Sequence, residues 1–573
     1  MAEKIVSPGV FTNEIDQSFL PAAIGEIGAA VIGPTVKGPA FVPTVVSSYS
    51  EYVEMFGETF DSASQNFTFM TSHAAKEYLR HGNTLTVCRI MSGSTYASAT
   101  ASILSASTEI FKLKTHGQGA ILNSDSTQDA NGILPSGTDK NIRYEVNGLS
   151  NRKGTFNLVI RQGNDSTKRK TILETWNNLS MDPNAKNYVA KVIGDTVQVI
   201  RGTSPDKYLQ PSGTFPNKSK YVYVQVNNDY LTPNYLDNAG ATSSAAYTAS
   251  LPQNHSGSFG TGNDGLVSHP MKWYQDVETT NVQGISLADQ TPYKDALDLL
   301  GNPDEYDINL ILLPGVTNDM TNGSTIIDYA IQKAESRADC LVLADPVSYG
   351  SAITSAVTQA EGYDSNYAAM YYPWCQILDN ATGQYRFVPP STVIAGVYAF
   401  NDKVAQPWFA PAGLNRGGLD GVIQTERKLT HANRDTLYEG NVNPIATFPG
   451  QGICAWGQKT LQKKSSALDR INVRRLLIRV KKFIASSSRF LVFEQNNAAT
   501  RTRFLNIVNP FLEQVQSQSG LNAFKVVMDD TNNTPDVVDR NILYGQLFLQ
   551  PTKTAEFIVL DFVVQPTGAA FPE

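Results

Sequence analysis

The chain has 573 residues, enough for several buried cores, with 41% apolar and only 17% charged residues and a formal net charge of −7. The acidic balance argues against a general nucleic-acid coat, and 25 Tyr with 25 Phe argue against disorder. Four widely spaced cysteines, Cys88, Cys340, Cys375 and Cys454, form no CxxC pair, so neither a zinc ribbon nor a disulfide framework is expected, and no apolar stretch suggests a signal sequence or a membrane span.

Residues 1–22 read as an extended arm in which Ile5, Val6, Val10 and Phe11 flank Ser-Pro-Gly. Over 23–92 the pattern is a small α/β unit, with strands at 29–33, 41–46 and 85–90 and a helix over 66–80. From 93 to 268 short β-type runs, such as 156–161 and 221–226, predict an inserted β-rich domain. Its last part, 237–268, has no Lys or Arg, and 17 of its 32 residues are Ser, Thr, Asn or Gly, which reads as a loop or linker.

Residues 269–440 alternate strands (308–313, 341–345, 367–377) with helices (326–338, 351–361). Near-continuous apolar strands between helices predict a mostly parallel sheet covered on both faces. Residues 441–573 predict an α+β section, with helices over about 466–485 and 498–518 and strands at 524–528, 542–549 and 556–564. The fold class is therefore α/β and α+β multidomain.

Motifs for catalysis are weak. Gly260-Thr-Gly262-Asn-Asp-Gly265 matches GxGxxG, but a Ser/Gly/His loop precedes it instead of a strand, so it reads as a turn. The histidines His73, His81, His116, His255, His269 and His431 have no metal-binding spacing. Asp529-Asp530 precedes Thr-Asn-Asn-Thr-Pro and reads as turn capping more readily than as an acid–base pair. No catalytic, cofactor-binding or metal-binding residue is assigned, and the chain is not expected to be an enzyme.

The strongest anomaly is electrostatic. Residues 459–489 hold ten basic residues and one acid, a local +9 that leaves −16 for the rest of the chain. On a helical wheel an apolar arc opposes two basic stripes, Arg470, Arg474 and Lys481 beside Arg475, Arg479 and Lys482, with Ile471 and Ile478 between them. Like charges at i, i+4 repel by a few tenths of a kcal/mol, so the outward basic face fits an acidic partner, a protein ahead of nucleic acid, better than the plain solvated face that a charge run usually forms. The chain ends are the second anomaly. Strand-like segments at 4–12 and 556–565, the latter with Phe557, Val559 and Phe562, have no hairpin partner, and either edge pairing within the chain or strand addition to another copy fits them.

Several runs resemble the contractile tail sheath proteins of myophage-type bacteriophages. Tyr367-Ala-Ala-Met-Tyr-Tyr-Pro-Trp374, Val388-Pro-Pro-Ser-Thr-Val-Ile-Ala-Gly-Val-Tyr-Ala399 and Ala410-Pro-Ala-Gly413 are similar to the family's central segment. Ile471-Asn-Val-Arg-Arg-Leu-Leu477 and Phe493-Glu-Gln-Asn496 are similar to its C-terminal domain. Ser7-Pro-Gly-Val10, Gly33-Pro-Thr-Val-Lys-Gly-Pro39, Phe56-Gly57 and Tyr78-Leu-Arg-His-Gly-Asn83 resemble its opening pattern. The matches cover roughly 1–92 and 270–573, and the insertion at about 93–268 carries no run that is recognised as similar.

The resemblance implies a structural subunit that stacks as hexameric rings around a tail tube and contracts to drive the tube through the host envelope. It implies a subtilisin-like central fold without protease activity, an outward insertion, and terminal arms that add strands to a neighbour's C-terminal domain. Carried onto this chain, those arms are Ile5, Val6, Val10 and Phe11 and Phe557, Val559 and Phe562. The implied tube contact is Arg470, Arg474, Arg475, Ile478, Arg479, Lys481 and Lys482. Implied partners are further copies, the tail tube, and baseplate and terminator proteins, with no membrane insertion and no direct nucleic-acid binding. The implied location is the virion tail, assembled in the host cytoplasm. The alternatives are a headless contractile device, or a nucleic-acid-binding structural protein using the 470–482 helix.

Overall fold

The computed structural model describes residues 28–557, apart from 63–64, 94, 125–127, 130, 237–240, 243–250 and 266–276. By internal contacts the chain divides into one unit of 27–478 and a second of 1–26 with 479–573.

The larger unit is built on an eight-stranded sheet in the order Thr44–Val46, Leu85–Arg89, Gly28–Gly33, Ile308–Thr317, Leu341–Asp345, Ala368–Tyr372, Val442–Phe448, Gly452–Ala455. The six inner strands are parallel, and the two outer strands pair antiparallel. Strands buried on both faces read as unbroken apolar runs, which is why the sheet is visible in the sequence. Along Gly28–Gly33, Ala30 and Ile32 join one core while Ala29 and Val31 join the other. The helix Gly323–Arg337 contributes Ile326, Ile327 and Ala330 to the first core, and the helix Pro390–Val404 contributes Ile394 and Tyr398 to the second.

Four expectations are corrected. The strand expected at 367–377 is two strands in different sheets, Ala368–Tyr372 and Cys375–Asp379. Pro373 between them lacks an N–H for a ladder, and the chain changes sheets there. The helix expected over 66–80 begins at Met70, because the β-favouring Phe67 and Thr68 belong to a hairpin of Thr59–Ser62 with Gln65–Thr68. The 237–268 stretch is not simply a linker: His255–Ser258 pairs with Ile142–Ser150, anchored on either side by buried Leu251 and Phe259. Finally, Val442–Phe448 and Gly452–Ala455 lie beyond the expected boundary at 440 yet complete the central sheet.

Between 98 and 259 a separate core gathers Phe111, Leu113, Phe156, Leu158, Val224 and Phe259 from a four-stranded and a three-stranded sheet. The hairpin Val197–Arg201 with Tyr208–Ser212 leaves that core, and its Ile200 and Leu209 pack against the sheet's first core. Lys207 pairs with Asp295 there, and the Lys333 ammonium donates to the Pro205 carbonyl at 2.9 Å.

In the smaller unit the helix Ala498–Ser517 starts at Asn497, whose side chain accepts from the Thr500 N–H at 3.0 Å. Phe511 on this helix stacks on Phe483 at 3.8 Å and 11°. Leu521–Val527 and Gln546–Pro551 form a two-stranded antiparallel sheet. Of the strand expected at 556–564, Glu556 and Phe557 have no strand structure, and the rest lies outside the described residues.

Candidate functional site

The basic segment begins at the end of the central unit. Ser466 caps a short turn, Ala467–Asp469, and the helix Ile471–Ser488 follows. The division between units falls within this helix, after Ile478.

The expected outward basic face is only partly present. Arg474, Arg475 and Ile478 are buried, and this corrects the wheel-based orientation. Arg475 pairs with Asp402 and lies 4.8 Å from the ring centroid of Tyr398, whose hydroxyl is 2.9 Å from that of Tyr371. Burial is the largest influence on the Arg475 pKa and lowers it, but the Asp402 charge and hydrogen bond together with Tyr398 and Tyr78 outweigh it and leave the pKa raised. Arg474 donates to the Asn366 side-chain oxygen at 2.5 Å and lies 4.1 Å from the Tyr367 ring centroid, while burial lowers its pKa. Ile471 is fully buried, its N–H donating to the Gln458 carbonyl at 2.9 Å.

The first two turns are therefore an anchor in the central unit. A planar guanidinium can pair with a carboxylate and stack on an aromatic ring at once, which suits Arg to this position where Lys would not serve. Of the remaining expected contacts, Lys481 is exposed, and Arg470, Arg479 and Lys482 are half-exposed. Arg470 pairs with its neighbour Asp469 at 3.1 Å. The sequence missed Asn366, Tyr367, Tyr398 and Asp402 as partners. Tyr398 and Asp402 stand four apart on one helix, so a turn-spaced aromatic–acid pair was the available signal.

The terminal-arm residues Ile5, Val6, Val10, Phe11, Val559 and Phe562 lie outside the described residues, and Phe557 is exposed. Phe490, Val492 and Phe493, in the turn after the helix, form an exposed apolar knuckle that the sequence reading did not single out.

The chemistry-bearing residues are in structural roles. The GxGxxG segment follows the strand His255–Ser258, where a loop was expected, and is held by isolated bridges at Gly260 and Asn263. The Asp529 carboxylate caps the turn by accepting from the Thr531 N–H at 2.9 Å, whereas Asp530 forms an ion pair with Arg501. Asp345 is buried at a strand end and accepts from the N–H of Ser391 at 2.9 Å and its Oγ at 2.5 Å. Burial nonetheless pushes the Asp345 pKa up to about 7. All four cysteines are buried outside any disulfide, and among the described residues no group of His, Cys, Asp and Glu could hold a metal ion. No helix among them is long and apolar enough to cross a membrane.

The described residues thus place an α/β core in continuity with an anchored basic helix. Residues 288–461 match the family model of the phage tail sheath protein central domain, and 463–565 match that of the phage tail sheath C-terminal domain. The chain is 27% identical to the tail sheath protein of Vibrio phage KVP40 over 99% of both chains. It is 34% identical to that of Enterobacteria phage T4, over 49% of this chain and 45% of the relative. The crystal structure of a sheath tail protein from Listeria innocua shares the fold, with a TM-score of 0.53 and 12% identity over 88% of this chain and 90% of that one. The chain is a contractile tail sheath protein, a structural subunit of the sheath.

Proposed function

We propose that this subunit stacks in hexameric rings around a tail tube and contracts to drive the tube through the host envelope, without catalytic chemistry of its own. In this reading the domains follow the sequence layout except that the central domain runs past 440 to include Val442–Phe448 and Gly452–Ala455, the central unit keeps a subtilisin-like fold, the insertion faces outward, and assembly takes place in the host cytoplasm. Tube, baseplate and terminator proteins are the further partners. Tube contact falls to Arg470, Arg479, Lys481 and Lys482, since Arg474, Arg475 and Ile478 are held inside the subunit.

The observation that carries the proposal is the sheet of Leu521–Val527 and Gln546–Pro551, two-stranded among the described residues, so that each strand has one open edge. Open edges receive added strands through main-chain hydrogen bonds, each contributing about 0.5–1.5 kcal/mol net. The arms at 1–22 and 556–565 are the strands that would be added. Such links can hinge while remaining connected, so a lattice of them can rotate and compress without dissociating. Deleting residues 1–20 is expected to leave soluble single subunits in electron micrographs of purified protein. Ordered sheaths from the truncated chain would overturn the arm assignment.

A further inference from the structure

The sheet Gln384–Val388, Cys375–Asp379, Val422–Thr425 has one face in the core of the central unit and one in solvent. Cys375, Ile377 and Val388 point inward. The alternate residues make the outer face: Leu378 stands opposite Tyr385, and Gln376 stands opposite both Phe387 and Gln424. Ile423 adds to it at the bulge in the third strand, and the Tyr349 ring lies 4.8 Å from that of Phe387. Tyr385 is 64% exposed, Tyr349 53%, Ile423 50% and Leu378 43%. The two amides are paired, Gln424 donating to Gln376 at 2.8 Å.

None of these seven side chains carries a charge. An antiparallel sheet with a solvated outer face ordinarily shows alternating polar residues there. Here aromatic and aliphatic residues stand in those positions, the composition that marks the core of protein interfaces, where charge is depleted and aromatics are enriched. The electrostatics also select the occupant. A partner matched to the basic end of this chain would be acidic, and an acidic surface gains nothing from an uncharged face. A charge-poor chain that assembles with its own copies supplies uncharged surface in every neighbour.

We propose that this outer face is a subunit–subunit contact filled by a second copy of the chain, an inference that rests on self-assembly into a sheath. Because helical stacks are built from head-to-tail contacts, the face meets a different surface of the second copy instead of its own twin.

The test uses the full chain with Leu378→Glu, Tyr385→Glu and the double substitution, with Tyr385→Phe as the variant that keeps the apolar area. Sheath formation is followed by sedimentation and electron microscopy against protein concentration, and thermal melting is followed by circular dichroism. The double variant is expected to need at least about tenfold more protein to assemble, equivalent to ~1.4 kcal/mol. Its melting midpoint should be unchanged, and Tyr385→Phe should assemble as the parent does. Assembly of the double variant at the parent concentration overturns the contact, and so does loss of assembly accompanied by a lowered melting midpoint. A parent chain that forms no sheath overturns self-assembly itself, which is a distinguishable result.

Discussion

Two buried ionisable side chains give the central unit opposing responses to pH. Burial lowers the His73 pKa from 6.5 to about 4 against the pull of Asp379, with Arg386 and Lys76 adding to the lowering. Burial raises that of Asp345 from 3.8 to about 7, against the hydrogen bonds from Ser391. The folded chain binds fewer protons at His73 than the unfolded chain, so this contribution is lost as pH falls from about 6.5 through about 4. It binds more protons at Asp345, so that contribution is complete below about pH 4 and is lost as pH rises through about 7. At 1.36 kcal/mol per pKa unit each spans roughly 3–4 kcal/mol, and the two largely cancel between pH 4 and 7. Single substitutions should expose the hidden slopes. Relative to the parent, Asp345→Asn should gain stability as pH rises from 4 to 7, and His73→Gln should gain as pH falls across the same window. Denaturant midpoints measured across this range decide it, and curves parallel to the parent's would contradict the assignment.

At the scale of elements, the helices Met70–Leu79 and Pro390–Val404 approach closely at Gly396. A Cβ added at Gly396 would lie 2.9 Å from the Glu77 carbonyl oxygen and 3.3 Å from its carbon, backbone atoms that cannot rotate away. Gly396→Ala should therefore push the helices apart and cost about 1–3 kcal/mol, seen as a lowered melting midpoint. A midpoint equal to the parent's would show that the helices separate freely. Elements were legible in the sequence where burial imposes a single pattern, as in Ile308–Thr317 and Leu341–Asp345, which are apolar because both faces are covered. They were not legible where only a few residues carry the signal. His255–Ser258 has no apolar run and is held in place by its pairing and by the flanking Leu251 and Phe259. The knuckle at Phe490–Phe493 was hidden for the converse reason, since an apolar run in sequence reads as core and only the structure shows it exposed.

For the whole molecule, the segregation of +9 in residues 459–489 from −16 elsewhere survives as composition but changes meaning. A helical wheel fixes which side chains share a face and says nothing about which face a neighbouring element covers. Arg474 and Arg475 share the basic side of the wheel, yet Asn366, Tyr367, Tyr398 and Asp402 enclose them, acceptors and rings 70 to 110 residues earlier in the chain. Reversing either arginine would place a carboxylate in that enclosure and disrupt the fold, so a loss of assembly would say nothing about the tube. Arg479, Lys481 and Lys482 avoid this confusion because each is at least partly exposed. Their replacement by Glu should cost no more than about 1 kcal/mol of stability per site, a modest fall in the melting midpoint, as exposed ion pairs contribute about 0–1 kcal/mol each. On the proposed tube contact, the same triple substitution should weaken assembly of the extended sheath around a tube while contracted sheaths still form, since in that reading contraction moves the subunits off the tube. Raising the salt concentration should weaken the parent's extended assembly in the same direction, since screening acts on the same exposed charges. Normal extended tails from the triple variant, counted in electron micrographs, would remove the basic segment from the tube contact and leave its first two turns with an anchoring role alone.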